Sequence, residues 1–209
     1  MTWPEIFVAR HGETDWNRER RYQGTKDVPL NDMGKRQADA NGPLLSELLE
    51  RDGRSPADFN WYSSPLGRAV ETMARMRAAF DQDLPEVTLD KRLVEISFGI
   101  LEGSLFDELP PELATAPGHR NAEYWEYRPP EGENYDDLTA RLQSFASELT
   151  GPSIIVAHGG TLRALRHIIA HTPRLEVLNW MPPQGAIAHF EDGRMTLYET
   201  ELASKFVPH

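Results

Sequence analysis

Two short apolar segments, each followed closely by a histidine and a glycine, constrain the fold of this chain more than any other feature. Residues 5–9 (Glu-Ile-Phe-Val-Ala) lead to His11, and residues 153–157 (Ser-Ile-Ile-Val-Ala) lead to His158. Apolar runs of this length are typical of strands that are buried on both faces of a parallel sheet. Ligands bind beyond the carboxyl ends of such strands. We therefore expect the two imidazoles to emerge at the same edge of one sheet.

The remaining pattern of apolar residues alternates between strands and helices. Four further strands are predicted, the last two joined as a hairpin by Glu-Asp-Gly, at 60–63, 86–89, 186–190 and 194–198. Helices are predicted from residue 31 or 32 through Leu49, and over about 66–80, 135–149 and 161–170. Gly42-Pro43 lies inside the first of these helices and is expected to bend or break it. The alternation predicts an α/β fold with a largely parallel sheet.

The length of the chain, 209 residues, fits a single domain over 1–209. The segment 103–133 is rich in proline and aromatic residues and shows little periodicity. We predict that this segment is a lid or an insertion of that domain rather than a linker between domains.

Composition and charge exclude several classes of protein. The chain has no cysteine, which excludes disulfides, thiolate catalysis and cysteine-ligated zinc. It shows neither a signal peptide nor an apolar run of the roughly 20 residues that cross a bilayer, so we expect a cytoplasmic protein. The formal net charge of -11 argues against nucleic acid and anionic membranes as partners. A phosphate site in so acidic a chain must be a local cluster of arginines.

The sequence Arg10-His11-Gly12 has the residue types that phosphoryl transfer needs. A neutral imidazole is a nucleophile near pH 7 because its reference pKa is about 6.5, and a phosphorylated histidine has a labile P–N bond. The guanidinium of Arg10 offers a planar set of donors to phosphate oxygens. Gly12 is expected to let the backbone approach the ligand closely.

Three residues elsewhere in the chain are candidates to complete this site. Arg68 lies near the start of a predicted helix, so it can supply a second guanidinium together with the positive end of the helix dipole. His158, in its protonated form, can donate hydrogen bonds to the transferring group and help to offset the charge of a phosphomonoester. Glu95 is a candidate general acid for the leaving oxygen, provided that its surroundings keep it protonated.

These residues belong to a series of motifs that resembles the signature of the histidine phosphatase superfamily, in the branch that contains phosphoglycerate mutases and related phosphatases. The first motif is Arg-His-Gly-Glu-Thr at 10–14, followed by Trp-Asn at 16–17. The others follow in the order of the family and extend the likeness over nearly the whole chain, at 22–24, 29–31, 63–72, 95–103, 129–141 and 156–163. Asn134 stands where many members have serine, and asparagine is expected to cap the following helix as well.

The resemblance implies a three-layer α/β structure in which helices flank a mostly parallel central sheet. It implies that His11 forms a phosphohistidine intermediate and that Glu95 donates a proton to the leaving group. No metal ion is expected, because the arginines would supply the charge that magnesium supplies elsewhere. The remaining residues would bind the phosphate group or border the substrate: Arg10, Arg68 and His158 around the phosphate with the help of Asn17, and Gln23 with Gly24 beside the substrate.

Each candidate also has a plainer interpretation. Glu95 is compatible with a solvated charge or a salt bridge, and Asn17 and Gln23 are compatible with ordinary turn residues. The other histidines have no matching partners and are predicted to be surface, packing or terminal residues: His119, His167, His171, His189 and His209. Two of them, His167 and His171, have a spacing that zinc sites use, but a third ligand is lacking and we predict no metal site.

The sequence predicts a phosphatase that hydrolyses a small phosphomonoester and needs no cofactor. One alternative is a mutase, which would return the phosphoryl group to a second hydroxyl and would need 2,3-bisphosphoglycerate; the short chain favours hydrolysis, because mutases of the family tend to be longer. The other alternative is a non-catalytic phosphate-binding module. The sequence is compatible with a homodimer and leaves the identity of the substrate open.

Overall fold

The structure is a computed structural model that describes residues 3–108, 114–116 and 119–204 of the chain, so His209 lies outside the described residues. The strands are β1 (Ile6–Arg10), β2 (Asn60–Ser63), β3 (Val87–Leu89), β4 (Ala114–Ala116), β5 (His119–Arg120), β6 (Ser153–Ala157), β7 (Ala186–Glu191) and β8 (Arg194–Glu199). The α-helices are α1 (Asp15–Arg18), α2 (Asp32–Arg51), α3 (Gly67–Arg77), α4 (Tyr135–Ala146), α5 (Gly159–Ala170) and α6 (Arg174–Asn179). Among the described residues, no helix has both the length and the apolar character needed to cross a bilayer.

A six-stranded sheet in the order β3-β2-β6-β1-β7-β8 forms the centre of the structure. The first four strands of this order run parallel, whereas β7 is antiparallel to β1 and pairs with β8 as the predicted hairpin. The prediction of a mostly parallel sheet is confirmed. Arg10 lies opposite Ala157 in the register, so β1 and β6 end at the same level.

Helices cover both faces of this sheet and complete three layers. Along β1, Phe7 packs into a core with side chains of α2 and α3, whereas Val8 packs into a second core with side chains of α4, α5 and α6. Burial of one such side chain stabilises the fold by about 1.5–3 kcal/mol. The sheet is therefore fixed from both faces, and the predicted three-layer architecture is confirmed.

Helix α2 does not break at Gly42-Pro43, and it runs without interruption for 20 residues. Proline lacks the N–H of a helical hydrogen bond, which costs roughly 3 kcal/mol in a helix interior. Beyond the proline, Leu45, Leu48 and Leu49 are all buried, and each contributes about 1.5–3 kcal/mol. Of the predicted bend or break, the break does not occur, because the burial of these three leucines outweighs the cost of the proline.

The structure contains two helices that the sequence did not predict. Helix α1 lies in a region whose sequence is typical of a polar loop. A capping box between Thr14 and Asn17 fixes the start of this helix. Helix α6 follows Pro173 and buries Val177 and Leu178. Both helices are much shorter than the window of roughly 11–18 residues over which helical periodicity is detected.

The described part of the segment 103–133 packs against the rest of the domain. Tyr124 and Trp125 are buried, and the ring of Trp125 lies 4.9 Å from that of Tyr135 at the start of α4. The indole Nε1 of Trp125 donates to Asp136 Oδ1 at 2.7 Å. These aromatic residues therefore belong to the hydrophobic core and anchor the segment to α4.

Candidate active site

The two histidines that follow β1 and β6 lie side by side at one edge of the sheet, as predicted. The amide of His11 donates to the carbonyl oxygen of Ala157 at 3.0 Å, which continues the pairing of the two strands by one residue. The ring centroids of His11 and His158 are 5.1 Å apart, and both side chains are almost fully buried. Backbone register therefore places the two imidazoles next to each other.

The hydrogen bonds of His11 determine which ring nitrogen carries the proton. Nδ1 lies 2.7 Å from the carbonyl oxygen of Gly12, so this nitrogen is the N–H donor. Nε2 lies 3.3 Å from Nε of Arg68, and because a guanidinium only donates, Nε2 must be unprotonated. Burial, followed by the charges of Arg68 and Arg10, holds the pKa of His11 well below the usual value for histidine. The ring is therefore neutral at pH 7, with a nucleophilic lone pair on Nε2.

Arg68 is the second residue of α3, and backbone carbonyl groups hold its guanidinium beside His11. Nη1 donates to the oxygen of Lys26 at 2.6 Å, and Nη2 donates to the oxygen of Gly24 at 2.8 Å. Burial lowers the pKa of Arg68 to about 10, which leaves the side chain charged at pH 7. Gly24 therefore contributes to the site through a carbonyl oxygen that orients Arg68.

Arg10 brings a second buried guanidinium to the site. Nη1 donates to the oxygen of Pro182 at 2.8 Å, while Nε has no hydrogen-bond partner among the described residues. Burial lowers the pKa of Arg10 to about 10, despite the attraction of Glu95. A buried donor without a partner costs about 1–3 kcal/mol, and an anion bound here would remove that cost.

His158 directly precedes α5 and shares a hydrogen bond with Ser64. Its Nε2 lies 2.7 Å from Ser64 Oγ, and its buried Nδ1 has no partner among the described residues. Burial, then the charges of Arg68 and Arg10 together with His11, holds the pKa of His158 well below the usual value. Burial among arginines therefore disfavours a positive charge on His158 in the protein without a ligand, and its protonation beside a bound phosphate group stays a prediction.

Glu95 lines the same pocket, beside the first turn of α5. Its Oε1 accepts hydrogen bonds from the amides of Ile96 at 2.9 Å and Gly160 at 3.0 Å, and its Oε2 lies 3.1 Å from the Gly160 nitrogen. A Cβ at residue 160 would overlap Glu95 Oε1, so this close approach requires glycine. Oε2 is therefore the less engaged of the two carboxylate oxygens.

Asn17 and Gln23 join the site through a chain of side-chain hydrogen bonds. Asn17 Oδ1 accepts from Nε2 of Gln184 at 2.8 Å and from the amide of Thr14 at 3.2 Å. The hydroxyl of Thr14 donates to Gln23 Oε1 at 2.7 Å. The network orients both predicted side chains in the pocket wall, and Gln184 is a member that the sequence did not reveal.

Gly12 has a structural role that differs from the expected one. The sequence suggested that Gly12 lets the backbone approach the ligand, whereas a Cβ at this position would overlap the carbonyl oxygen of Gly34 in the first turn of α2. A Cβ at Gly34 would in turn overlap the oxygen of Glu13. The two glycines therefore let the loop after β1 rest directly on the backbone of α2.

These side chains converge on a pocket of about 40 Å³, which adjoins a second cavity of about 160 Å³. Predicted site residues that line the pocket are Arg10, His11, Asn17, Gln23, Gly24 and Glu95. Arg68 and His158 join them through contact with His11. Lining residues that the sequence did not single out are Arg21, Tyr22, Phe98, Phe106, Arg120, Arg163 and Met181. Tyr22 and Arg163 lie within the family-like motifs, whereas Arg120 lies in the weakly periodic segment and carries no such signal.

Outside this pocket, one group of side chains has the composition of a metal site. Glu5, His189 and Glu191 have ligand atoms within 4.8 Å of one another. Arg54 Nη1 already bonds the carboxylate of Glu5 at 2.8 Å, and His189 Nε2 lies 2.9 Å from the same carboxylate. These contacts satisfy the glutamate without an ion. Within the part of the chain that the structure describes, His167 does not belong to any such group.

The sequence is similar to proteins that are named as a phosphoglycerate mutase-like protein and as probable phosphoglycerate mutases. The family model of the histidine phosphatase superfamily (branch 1) matches residues 6–198. Phosphoglycerate mutase-like protein 4 of Arabidopsis thaliana is 37% identical over 173 residues, which cover 79% of this chain and 70% of that protein. A probable phosphoglycerate mutase of Salmonella arizonae is 34% identical over 174 residues, which cover 81% of this chain and 76% of that protein.

The fold is similar to that of a solved structure that is named as a phosphatase. A mycobacterial glucosyl-3-phosphoglycerate phosphatase in complex with VO3 superposes with a TM-score of 0.73 and 25% identity, over 94% of this chain and 98% of that one. The family model spans nearly the whole length over which the strands, the helices and the pocket are formed. The chain therefore belongs to the histidine phosphatase superfamily, branch 1.

Proposed function

We propose that the protein is a phosphatase that hydrolyses a small phosphomonoester through a phosphohistidine intermediate on His11. The observation that carries this proposal is the position of the unprotonated Nε2 of a neutral imidazole, 3.3 Å from the Nε–H of Arg68. A nucleophile and cationic donors for one phosphoryl group therefore lie together. Arg10 and Arg68 supply the positive charge that magnesium supplies in other phosphoryl-transfer enzymes, so we propose no requirement for a metal ion or another cofactor.

In the first step, the lone pair of His11 Nε2 attacks phosphorus in line with the leaving oxygen. An N–P bond forms, the P–O bond to the leaving group breaks, and the carboxyl proton of Glu95 passes to the leaving oxygen. Arg68 exchanges its hydrogen bond to Nε2 for one to a phosphoryl oxygen. Arg10, Arg68 and Nδ1 of His158 stabilise the charge on the transferring group.

In the second step, the ionised Glu95 takes a proton from a water molecule while the water oxygen attacks phosphorus. The P–N bond breaks, His11 regains its lone pair, and inorganic phosphate leaves. The adjoining cavity of about 160 Å³, which shares Arg10 and Asn17 with the pocket, supports hydrolysis because it gives water a route to the phosphohistidine.

A phosphoglycerate mutase activity is the second candidate, because the relatives with 34% and 37% identity are named as a probable mutase and a mutase-like protein. In that reaction the phosphohistidine would pass its phosphoryl group to a second hydroxyl instead of water. The protein would then convert 3-phosphoglycerate to 2-phosphoglycerate rapidly in the presence of 2,3-bisphosphoglycerate and release little phosphate. That result would replace hydrolysis by the mutase reaction.

Hydrolysis of p-nitrophenyl phosphate tests the phosphatase proposal over about pH 5–8, the range that brackets imidazole titration. We expect turnover that persists in EDTA, and we expect His11→Asn to lower kcat/KM by about 10⁴-fold or more, because the nucleophile is lost. The matched control is His171→Asn, since His171 is an exposed residue at the C-terminal end of α5 and asparagine tolerates its left-handed backbone.

Acid-labile labelling tests the intermediate directly. Radioactive phosphate from the substrate should appear on the wild-type protein and on His171→Asn after a rapid quench, but not on His11→Asn. Undiminished turnover by His11→Asn, or a wild-type protein that turns over substrate without such a label at any quench time, would disprove the proposed mechanism. A complete lack of turnover and label in the wild type would favour a non-catalytic binding module.

A further inference from the structure

Gln184 is a buried side chain that contacts Asn17 from outside the pocket of His11. Asn17 lines both this pocket and the adjoining cavity of about 160 Å³, whereas Gln184 lines only the cavity of the two. Gln184 is 3% exposed, and its Nε2 donates to Asn17 Oδ1 at 2.8 Å. Gln184 is therefore placed to act on the phosphoryl group through Asn17 rather than by touching it.

The backbone determines which atom of the Asn17 amide faces Gln184. The backbone nitrogen of Thr14 lies 3.2 Å from one terminal atom of the Asn17 side chain, and a backbone N–H can only donate. That terminal atom must therefore be the oxygen, Oδ1. Because Gln184 approaches the same oxygen, its contacting atom must be the donor Nε2.

These contacts leave Asn17 with one polar atom for a ligand. A carbonyl oxygen has two lone pairs, and the N–H groups of Thr14 and Gln184 occupy both on Oδ1. The hydroxyl of Thr14 also lies 3.1 Å from Oδ1, but it donates to Gln23 at 2.7 Å. Nδ2 of Asn17 has no hydrogen-bond partner among the described residues. Asn17 therefore offers a donor, which is the group that a phosphoryl oxygen accepts from.

The protein holds Gln184 in place before a ligand binds. Its backbone amide donates to Ser204 Oγ at 2.8 Å, and its carbonyl oxygen accepts from the backbone amide of Ser204 at 2.9 Å. The carbonyl oxygen of Gly185 accepts from the amide of Thr200 at 3.0 Å and from its hydroxyl at 2.8 Å. The segment 200–204 thus orders Gln184, so little conformational entropy is lost when a ligand binds beside Asn17.

We propose that Gln184 is a positioning residue, which holds the amide of Asn17 so that Nδ2 donates to the transferring phosphoryl group. This inference rests on the proposed function, in which that group is bound beside His11. Without Gln184, Oδ1 keeps only the N–H of Thr14, and the amide can tilt or turn. A tilted Nδ2 donates poorly, and a turned amide places the partial negative charge of Oδ1 against the phosphoryl oxygens.

Gln184→Met tests this role, because methionine is similarly long and unbranched but has no N–H donor. We expect kcat/KM for p-nitrophenyl phosphate to fall by about five- to tenfold, since a hydrogen bond to a charged group is weakened rather than lost. Asn17→Ala removes the donor itself and should lower kcat/KM by about 10–100-fold. The matched control is Gln143→Met, the same exchange at an exposed residue of α4, which should leave kcat/KM unchanged.

Gln184→Glu repeats the test with a side chain of the same shape as glutamine. Its ionised carboxylate cannot donate to Oδ1 of Asn17, so near pH 8 kcat/KM should fall at least as much as with Gln184→Met. The ligand-free unfolding transition shows which of the two variants is folded. An unchanged kcat/KM in a folded variant of Gln184 would overturn the inference.

Double variants show which residue transmits the effect of Gln184. If Gln184 acts through the Asn17 amide, adding Gln184→Met to Asn17→Ala should lower kcat/KM by less than about twofold. Added to Arg10→Lys, in which Asn17 is intact, it should still lower kcat/KM by about five- to tenfold. The second combination is needed because Arg10 donates to the oxygen of Pro182, which lies two residues before Gln184.

Binding of inorganic phosphate gives the same comparison without turnover. Phosphate should raise the Tm of the wild type and of Gln143→Met more than that of Gln184→Met, because bound ligand stabilises the folded state according to its affinity. A purely structural role of Gln184 would lower the Tm without ligand but would leave the shift produced by phosphate unchanged.

A full five- to tenfold further loss in the Asn17→Ala background would overturn the inference. An effect of Gln184→Met that disappears with Arg10→Lys would do the same, because it would assign the effect to Arg10. A failure of the proposed function is distinguishable from these outcomes. A wild-type protein without turnover or acid-labile label contradicts the phosphatase, and the phosphate-induced shifts in Tm then still test the contact of Gln184 with Asn17.

Discussion

Two groups of site residues are placed in different ways. In the first group, His11 and His158 directly follow two adjacent parallel strands, and Arg68 lies in the first turn of α3. In the second group, Glu95 lies in an irregular segment between two short 3-10 turns, and Arg120 lies in the segment 103–133. Regular backbone pairing places the first group, whereas side-chain contacts place the second. The first group should therefore respond to changes in charge, and the second should respond to the loss of remote polar contacts.

An ion pair that lies outside the pocket holds the segment that carries Glu95. Arg141 of α4 donates to the backbone oxygens of Arg92 at 2.6 Å and Glu95 at 3.2 Å, and it pairs with the carboxylate of Glu133 at 3.1 Å. Glu133 in turn accepts from the amide of Ser97 at 3.0 Å. The pair of Arg141 and Glu133 therefore ties the segment 92–97 to α4.

The largest effect is expected in the first group, at Arg68. Arg68→Gln removes a charged donor to the transferring group, and we expect kcat/KM for p-nitrophenyl phosphate to fall by about 10²–10³-fold. The loss should be similar for alkyl phosphates, because every substrate presents the same phosphate group. Arg68→Lys should fall between the wild type and Arg68→Gln. Steady-state kinetics of the variants measure these kcat/KM values. A decrease of less than about tenfold for Arg68→Gln would contradict the role given to Arg68.

A smaller effect that depends on the leaving group is expected from Arg141→Met. The variant removes the hydrogen bonds that hold the backbone around Glu95. Because a general acid would then be misplaced, kcat for alkyl phosphates should fall by about 10–100-fold. Nitrophenolate leaves without a proton, so the loss for p-nitrophenyl phosphate should be clearly smaller. The matched control is Arg75→Gln, which breaks the ion pairs of Arg75 with Asp39 and Glu71 and should lower neither rate. Equal losses for both substrates would show that Arg141 acts on stability alone.

The smallest effect is expected in the titration of His11. Its lowered pKa means that the neutral fraction should change little between pH 7 and 6, whereas an imidazole with a pKa of about 6.5 would lose about two thirds of its neutral form. Arg68→Gln removes a positive charge, so it should raise the pKa of His11 and move the acid limb of kcat/KM to higher pH. NMR of the labelled imidazole measures both values. A wild-type His11 that titrates at or above the usual histidine value would contradict the assignment.

Local sequence patterns predicted much of the fold but not the elements that depend on tertiary contacts. The strands at 60–63 and 153–157 were predicted to the residue, because turn residues bound short apolar runs. Asn134 caps α4 as expected. The helix does not break at Pro43, because Leu45, Leu48 and Leu49 just beyond it are buried in the core, a contribution that a local pattern does not contain.

The candidate site shows the same division. The motifs predicted eight site residues, and the structure places all of them in or beside one pocket. The sequence did not indicate Arg120 as a site residue, because its position depends on Asn179, which lies 59 residues further along the chain. The lowered pKa of His158 was also not predicted, since it depends on arginines that come together only in three dimensions.

The contact of Gly12 with Gly34 has a consequence for attempts to redesign this protein. Main chain touches main chain there, so no compensating exchange of side chains can restore the fit after a larger residue is introduced at either position. The loop of the nucleophile and the start of α2 thus behave as one inflexible block. The part of the pocket wall that carries Arg120 differs, because a side chain, that of Asn179, holds the backbone there and can be replaced by itself.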